Sequence, residues 1–307
     1  MDEYKELLEK GKLCVNQGDY EQAATLFDEY FEKTQDFKVH PLLVDALLKS
    51  GDEDEGFLRV LEYDQIYQTT PQLYDMYFNL MLKRKLYLRV GMWLNNLSDE
   101  EKEPYVEMFK SAMIYWTTLD TKEYRAILKE FENVEKLSEN DQLRLMHSMS
   151  YLTPGDFLDF ATSALLVPNL SAIVRPQLAD YIIRLKEVNE LSFLDYSGEV
   201  QSLLASDCVS LERTFLESEV LRKTREYLID HQPSLIDLVI GTITMHMGLL
   251  YPASLKVMSP VDLWVEAYLL TFEVKKKTSY PEDQEKITEI MDIMRLLDKQ
   301  ISDMADF

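Results

Sequence analysis

The residues able to carry acid–base or metal chemistry are few in this chain, and their spacing favours neither. Four histidines occur, His40, His147, His231 and His246, and none has a cysteine or a second histidine at metal-ligand spacing. His246 lies in the apolar stretch ITMHMGLL, which is typical of a core histidine. His231 lies where a helix is predicted to end before Pro233, and the helix dipole favours a histidine there. The histidines therefore predict no metal site and no catalytic centre.

Motifs for phosphate binding and nucleophilic catalysis are also missing from the sequence. The nine glycines form no Gly-x-Gly-x-x-Gly, no Gly-Lys-Ser/Thr and no Gly-x-Ser-x-Gly pattern. Cys14 falls at an inward position of a predicted helix, and we expect both Cys14 and Cys208 to be free thiols in a reducing cytosol. Carboxylates are so numerous that chance pairs carry no weight. We predict no enzyme activity and no cofactor, and an enzyme of unrecognised type is the remaining alternative.

The net charge restricts the class of partner. There are 32 Lys and Arg against 55 Asp and Glu, which gives a formal charge of −23. Such a surface repels nucleic acid and anionic lipid, because binding to both depends on Lys and Arg. The N-terminus, MDEYKELLEK, has no signal-peptide pattern, and the uncharged run LVIGTITMHMGLLYPAS is shorter than the roughly 20 residues of a spanning helix. These features predict a cytoplasmic protein that binds neither nucleic acid nor membrane.

A repeated pattern supplies the elements that would position binding residues. The stretch NQGDYEQAATLF is followed 33 residues later by KSGDEDEGFLRV, so that Gly18 and Asp19 match Gly51 and Asp52. In each copy the glycine ends one helix, because it can adopt the left-handed conformation, and the aspartate caps the next helix. A two-helix unit cannot bury its apolar face alone, so such copies must stack.

The first copy resembles a tetratricopeptide repeat (TPR). Its signature positions are occupied by Gly11, Gly18, Asp19, Tyr20, Ala23 and Phe27. The second copy lacks the first glycine and the tyrosine after the Gly-Asp pair, and Gln35 stands where the family has a closing proline. The resemblance implies an all-α fold, a right-handed α-α superhelix or TPR-like solenoid, in which the first helix of each repeat lines a concave groove.

Further helix starts recur after the repeats. Ser98 is followed three residues later by Glu101, which predicts a capping box. Thr153-Pro154 and Ser259-Pro260 share one design, in which a hydroxyl caps the helix and proline takes the first helical position. These starts predict many short-to-medium helices.

One segment interrupts the helical pattern. The residues ELSFLDYSGEVQSLLAS alternate around Gly198 and predict a small β-hairpin near 190–204. This interruption guides the predicted domain boundary. We expect a TPR-like helical array over 1–168 and a diverged helical region, ending in a capping helix, over 169–307.

The C-terminal part carries a second resemblance. The stretch LLYPASLKVMSPVDLWVEAYLL is similar to the end of a family of TPR-like proteins from Gram-positive bacteria, through Tyr251-Pro252, Ser259-Pro260, Trp264 and Glu266-Ala267-Tyr268. That resemblance implies a helical superhelix in a bacterial protein and no assigned activity. The final helix has one apolar stripe, formed by Ile287, Ile290, Met291, Met294, Leu297, Ile301 and Met304. The stripe suits a helix that caps the stack, and pairing with a second copy of the chain is the alternative.

The groove implied by the TPR resemblance collects the candidate binding residues. They are Lys5, Lys12, Asn16, Lys38, Lys49 and Tyr77. Lysines on one face of an acidic protein suit an acidic peptide or a terminal carboxylate; alternatively, they are solvated and balance neighbouring acids. The sequence therefore predicts a non-enzymatic scaffold for a protein or peptide partner. A regulatory sensor of the TPR type that lacks its own DNA-binding domain is the alternative function.

Overall fold

The computed structural model describes residues 2–119 and 121–305 and divides them into two compact units. Unit 1 comprises the described residues up to Leu86 together with Leu97–Phe109. Unit 2 comprises Tyr87–Asn96 and the described residues from Lys110 onward. This division falls elsewhere than the predicted boundary at 168–169, which stays a prediction.

Helices dominate both units. Unit 1 contains α1 (Asp2–Gln17), α2 (Tyr20–Thr34), α3 (His40–Ser50), α4 (Glu53–Glu62), α5 (Asp64–Thr69) and α6 (Tyr74–Lys83). α7 (Tyr87–Leu94) lies in unit 2, and α8 (Asp99–Thr118) has residues in both units. Unit 2 continues with α9 (Thr121–Phe131), α10 (Glu139–Ser148), α11 (Pro154–Ala164), α12 (Val174–Leu185), α13 (Leu211–Leu216), α14 (Glu219–His231), α15 (Ile236–Leu250), α16 (Ser254–Val257), α17 (Val261–Thr271) and α18 (Gln284–Ala305).

One two-stranded sheet interrupts the helices of unit 2. β1 (Glu190–Leu194) pairs with the antiparallel strand β2 (Val200–Leu204), and Gly198 in the turn has φ +83°. The predicted class, an all-α helical-repeat fold with a small hairpin near 190–204, is confirmed.

The two matched turns of unit 1 have the same local structure, as their sequences predict. Gly18 and Gly51 both adopt the left-handed conformation, with φ +79° and +95°. Asp19 and Asp52 each accept a hydrogen bond from the backbone N–H three residues ahead, at 3.2 and 3.3 Å. The repeated spacing thus produces two equivalent helix-to-helix connections.

The later helix starts follow their sequences in two of three cases. Ser98 and Glu101 form the complete capping box, and Thr153 caps α11 by accepting from the N–H of Asp156 at 3.2 Å. The predicted cap at Ser259 is wrong, because Pro260 has an extended backbone (φ −74°, ψ 132°) and α17 begins one residue later, without a side-chain cap.

Close packing between α1 and α2 explains the first signature glycine. A Cβ atom built on Gly11 would lie 2.5 Å from Cε1 of Phe27, whose side chain is buried in the core between the helices. We expect Gly11→Ala to lower the free energy of unfolding by about 1–3 kcal/mol, because this overpacking outweighs the helix propensity of alanine. Urea denaturation followed by circular dichroism measures the change.

A second glycine provides the matched control. Gly241 also lies inside a helix, α15, but a Cβ there meets nothing within 4 Å. Gly241→Ala is therefore expected to raise the free energy of unfolding by up to about 1 kcal/mol. Equal effects of the two substitutions would contradict the packing argument.

The core of unit 2 forms around α15 and is covered by α18. Val239 and Ile243 of α15 and Trp264 of α17 are buried in one cluster with Ile287 and Leu297 of α18. The predicted apolar stripe of the last helix therefore faces the core of unit 2, as a capping helix requires. The side chain of Met304 lies outside the described residues.

One helical segment of the described chain, Pro233–Leu250, has the length and composition of a membrane-crossing helix, with a mean hydropathy of 1.4. This segment begins five residues before the uncharged run LVIGTITMHMGLLYPAS and includes the charged residue Asp237. A single segment of this kind is weak support for a membrane span, because core helices of soluble proteins share its composition. In the structure α15 packs its buried face against other helices of unit 2.

Candidate functional site

The predicted binding residues of α1 lie on one face of the helix. Lys5, Lys12 and Asn16 are separated by seven and four residues, which places them on neighbouring helical turns, and all three are exposed. Lys38, in the connection between α2 and α3, and Lys49, near the end of α3, are exposed too. The structure thus presents all five polar candidates at the surface of unit 1.

Two of these lysines are already paired with acids of their own helices. Lys12 Nζ lies 2.8 Å from Glu9, and Lys49 Nζ lies 2.7 Å from Asp45, whose hydrogen bond raises the pKa of Lys49 above its ordinary value. Within the part of the chain that the structure describes, Lys5 and Lys38 take part in no ion pair. Exposed ion pairs such as those of Lys12 and Lys49 contribute little energy, so a partner's carboxylate can compete with Glu9 and Asp45 for these two lysines.

Tyr77 does not belong to an accessible surface. Its side chain is 0% exposed, and Phe78, Leu80 and Met81 of the same helix are buried as well. Tyr77 and Phe78 point about 100° apart on the helix, and both are buried because α6 is covered on more than one side. Tyr77 is therefore not available to a peptide in this structure, and the exposed candidates that remain are the four lysines and Asn16.

A polar cavity of about 420 Å³ lies between α2, α3 and α4. Its acidic lining includes Asp28, Asp52 and Glu55, and its cation is Arg59. The Arg59 guanidinium contacts Asp28 at 3.2 Å and Glu55 at 2.8 Å, so its charge is already neutralised. No sequence pattern predicts this cavity, because its lining residues lie on three different helices and their linkers, and Asp52 is recognisable in the sequence only as a helix cap.

His246 is a buried structural histidine, in agreement with its sequence context. Its Nδ1 lies 2.9 Å from the hydroxyl of Tyr268, and its Nε2 lies 2.9 Å from Oδ1 of Asp298 on α18. Burial lowers the pKa of His246, although Asp298 opposes the shift. Burial also raises the pKa of Tyr268 far above its usual value.

This carboxylate–imidazole–hydroxyl arrangement joins helices and presents no reactive group to a substrate. The His246 ring and the Tyr268 side chain are both 0% exposed, so neither is accessible to a substrate in this structure. Among residues 2–119 and 121–305, no group of three or more His, Cys, Asp or Glu side chains could hold a metal ion.

His40 occupies an aromatic cluster in unit 1 that the sequence analysis missed. Its Nδ1 lies 2.9 Å from the hydroxyl of Tyr67, and the rings of Phe31, Phe37 and Tyr63 surround it at centroid distances of 4.6–5.2 Å. Its buried Nε2 has no hydrogen-bond partner in the described structure. Burial, with a smaller contribution from Arg59, lowers the pKa of His40 to about 4. The neutral ring is therefore part of the core.

Comparison with known proteins supports the repeat assignment. Over 280 residues, 85% of this chain and 81% of the relative, the chain is 23% identical to the TPR repeat-containing protein YsoA of Bacillus subtilis strain 168. The resemblance to bacterial TPR proteins is confirmed. No family profile matches the chain, and no solved structure matches it significantly. The TPR-like chain keeps the clearest signature in α1 and α2, where Gly11 and Phe27 pack together.

Proposed function

We propose that this TPR-like chain is a non-enzymatic scaffold in the cytoplasm that binds an acidic segment of a partner protein. The proposed site is the concave face implied by the repeat resemblance. Its candidate residues are Lys5, Lys12 and Asn16 on α1, Lys38 just before α3 and Lys49 on α3. Similarity to a TPR repeat-containing protein supports a scaffold role. Free Cys14 and Cys208 are compatible with a reducing compartment.

The observation that carries the proposal is the exposed polar face of α1. The chain has a net charge of −23, yet this helix face presents Lys5 and Lys12 to solvent, and Lys5 has no ion-pair partner among the described residues. Glu9 lies between the two lysines and pairs with Lys12, so Lys5 is the cation of this face that can receive a carboxylate without breaking an existing pair. Binding should weaken as salt rises, because screening reduces interactions between exposed charges.

Charge reversal on α1 tests the proposal. In the double variant Lys5→Glu and Lys12→Glu, we expect the affinity for a fluorescein-labelled dodecapeptide of alternating glutamate and leucine to fall about tenfold, since two exposed attractions become repulsions. Fluorescence anisotropy measures the dissociation constant.

A matched control makes the same change in net charge on another helix. Lys122 and Lys129 are exposed, lie seven residues apart on α9 and therefore repeat the spacing of Lys5 and Lys12. Lys122→Glu with Lys129→Glu is expected to leave the affinity almost unchanged. Equal losses in the two double variants would show a response to overall charge and would refute the proposed face.

A further inference from the structure

The β-hairpin of unit 2 is held firmly through β1 and through its turn. The backbone N–H of Leu194, in β1, donates to the carbonyl of Leu165 at 3.0 Å, and Gln300 of α18 donates to the carbonyl of Tyr196 in the turn at 3.1 Å. Asp195 closes the turn by accepting from the N–H groups of Ser197 and Glu199 at 2.8 and 3.1 Å. These contacts fix the hairpin before any partner arrives, which lowers the entropy cost of binding to it.

The outer edge of β2 is open. The backbone N–H of Asp195 donates to the carbonyl of Glu199, and the N–H of Ala205 donates to the carbonyl of Asn189. With the observed register, these bonds show that the odd-numbered residues form the hydrogen bonds between the strands. The even-numbered residues Val200 and Ser202 therefore direct their N–H and C=O groups away from β1. No hydrogen bond in the described parts of the chain occupies these outward backbone groups. β2 therefore offers two donors and two acceptors in the geometry of an edge strand.

The side chains of β2 are unusual for an exposed edge. The strand VQSLL contains no charged residue and no proline, although edge strands usually carry such residues to prevent pairing with other chains. Val200 and Leu204 are 64% and 56% exposed. An uncharged, partly apolar edge in a chain of −23 net charge marks a place where an additional strand is tolerated.

A mainly apolar cavity of about 270 Å³ lies beside this strand. β2 contributes Gln201 and Leu203 to its wall, and α15 and α16 contribute Leu250 and Val257. Alternate side chains of a strand added to β2 would point toward this side of the sheet, because side chains alternate between the two faces. The cavity is large enough for one aliphatic side chain.

The charge at the rim of the cavity selects the chemistry of the partner. Lys256 lines the cavity, is exposed and has no ion-pair partner among the described residues. Asp195 also lines the cavity, but its carboxylate already accepts from Ser197, Glu199 and Gln201. The available charge is therefore positive, and it suits a carboxylate.

We propose that β2 binds an extended peptide segment of a partner protein as a third, edge-added strand. Its backbone pairs with Val200 and Ser202, an aliphatic side chain enters the cavity at Leu203, and an acidic residue pairs with Lys256. Such strand addition combines main-chain affinity with side-chain specificity. The site belongs to unit 2, so it does not depend on the lysine face proposed for unit 1.

The probe is a fluorescein-labelled heptapeptide of alternating threonine and valine that ends in aspartate, with an amidated C-terminus. Ser202→Pro removes the outward N–H of β2 but none of the ladder bonds to β1, and we expect it to weaken binding about tenfold. Ser202→Ala is the matched control. It also loses the 2.8 Å contact between the hydroxyls of Ser192 and Ser202 but keeps the N–H, and it should bind like the unmodified protein.

A charge exchange tests the second contact without changing the strand. Lys256→Glu should weaken binding of the aspartate-ended probe and favour a probe that ends in lysine instead. The proposal is overturned if the unmodified protein does not bind the first probe at millimolar concentration, or if Ser202→Pro binds it normally. It is also overturned if sedimentation shows a dimer that Ser202→Pro dissociates, because the edge would then be occupied by a second copy of the chain.

Discussion

Replacement of Lys275 by methionine is expected to lower the free energy of unfolding by about 3–5 kcal/mol, the usual result of leaving one member of a buried ion pair alone. Lys275 Nζ lies 2.6 Å from Glu266, whose side chain is only 2% exposed, and 4.9 Å from the ring centroid of Tyr227. Glu266, on α17, also accepts a hydrogen bond from the N–H of Ser279 at 2.5 Å. The Lys275–Glu266 pair therefore connects α17 with the segment that precedes α18. Urea denaturation at pH 7 measures the loss.

The adjacent lysine serves as the control. Lys276 is exposed and takes part in no ion pair among the described residues, so Lys276→Met should change stability by less than about 0.5 kcal/mol. Replacing both Lys275 and Glu266 by methionine should recover part of the loss, since no uncompensated charge then stays buried. A loss below 1 kcal/mol in Lys275→Met would show that Glu266 is compensated by other groups.

Acidification is expected to destabilise the protein through His40. The folded pKa of about 4 lies below the ordinary value of 6.5, so the unfolded chain takes up the proton first as the pH falls. The stability that this histidine contributes is complete above pH 6.5 and is lost between pH 6.5 and 4. We expect this loss to reach about 2–3 kcal/mol between pH 7 and pH 4.5.

The variant His40→Phe isolates this contribution from the titration of carboxylates. Phenylalanine keeps an aromatic ring at this position but has no titratable group and loses the bond to Tyr67, and that loss costs the same at every pH. The stability difference between the two proteins should therefore shrink or reverse as the pH falls from 7 to 4.5. A difference that is constant with pH would mean that His40 titrates alike in the folded and unfolded chains.

The parts of the fold that the sequence predicts correctly depend on local chemistry. The turn at Gly18, the cap at Asp19 and the capping box at Ser98 each involve residues within three or four positions of one another, so their outcome is visible in a short stretch. The hairpin is equally local, because its register follows from the alternation on either side of Gly198.

The features that the sequence does not reveal depend on residues far apart in the chain. The apolar stretch around His246 predicts its burial but not its contact with Asp298, which lies 52 positions away. His40 contacts Tyr67 across 27 positions, and no motif predicts that pair. The groove implied by the repeat resemblance includes Tyr77, whereas the burial of its side chain is decided by neighbouring helices. The cavity beside β2 combines the hairpin with residues of α15 and α16, and only the tertiary structure brings these together.

The equivalent turns at Gly18 and Gly51 make the intervening segment an interchangeable module. Both connections pair a left-handed glycine with a capping aspartate, so joining Gly18 directly to Asp52 would reproduce a native junction. Gene duplication or deletion in steps of 33 codons can therefore lengthen or shorten such an array without creating a new loop. Protein engineers can use the same junctions to graft helical pairs from other arrays.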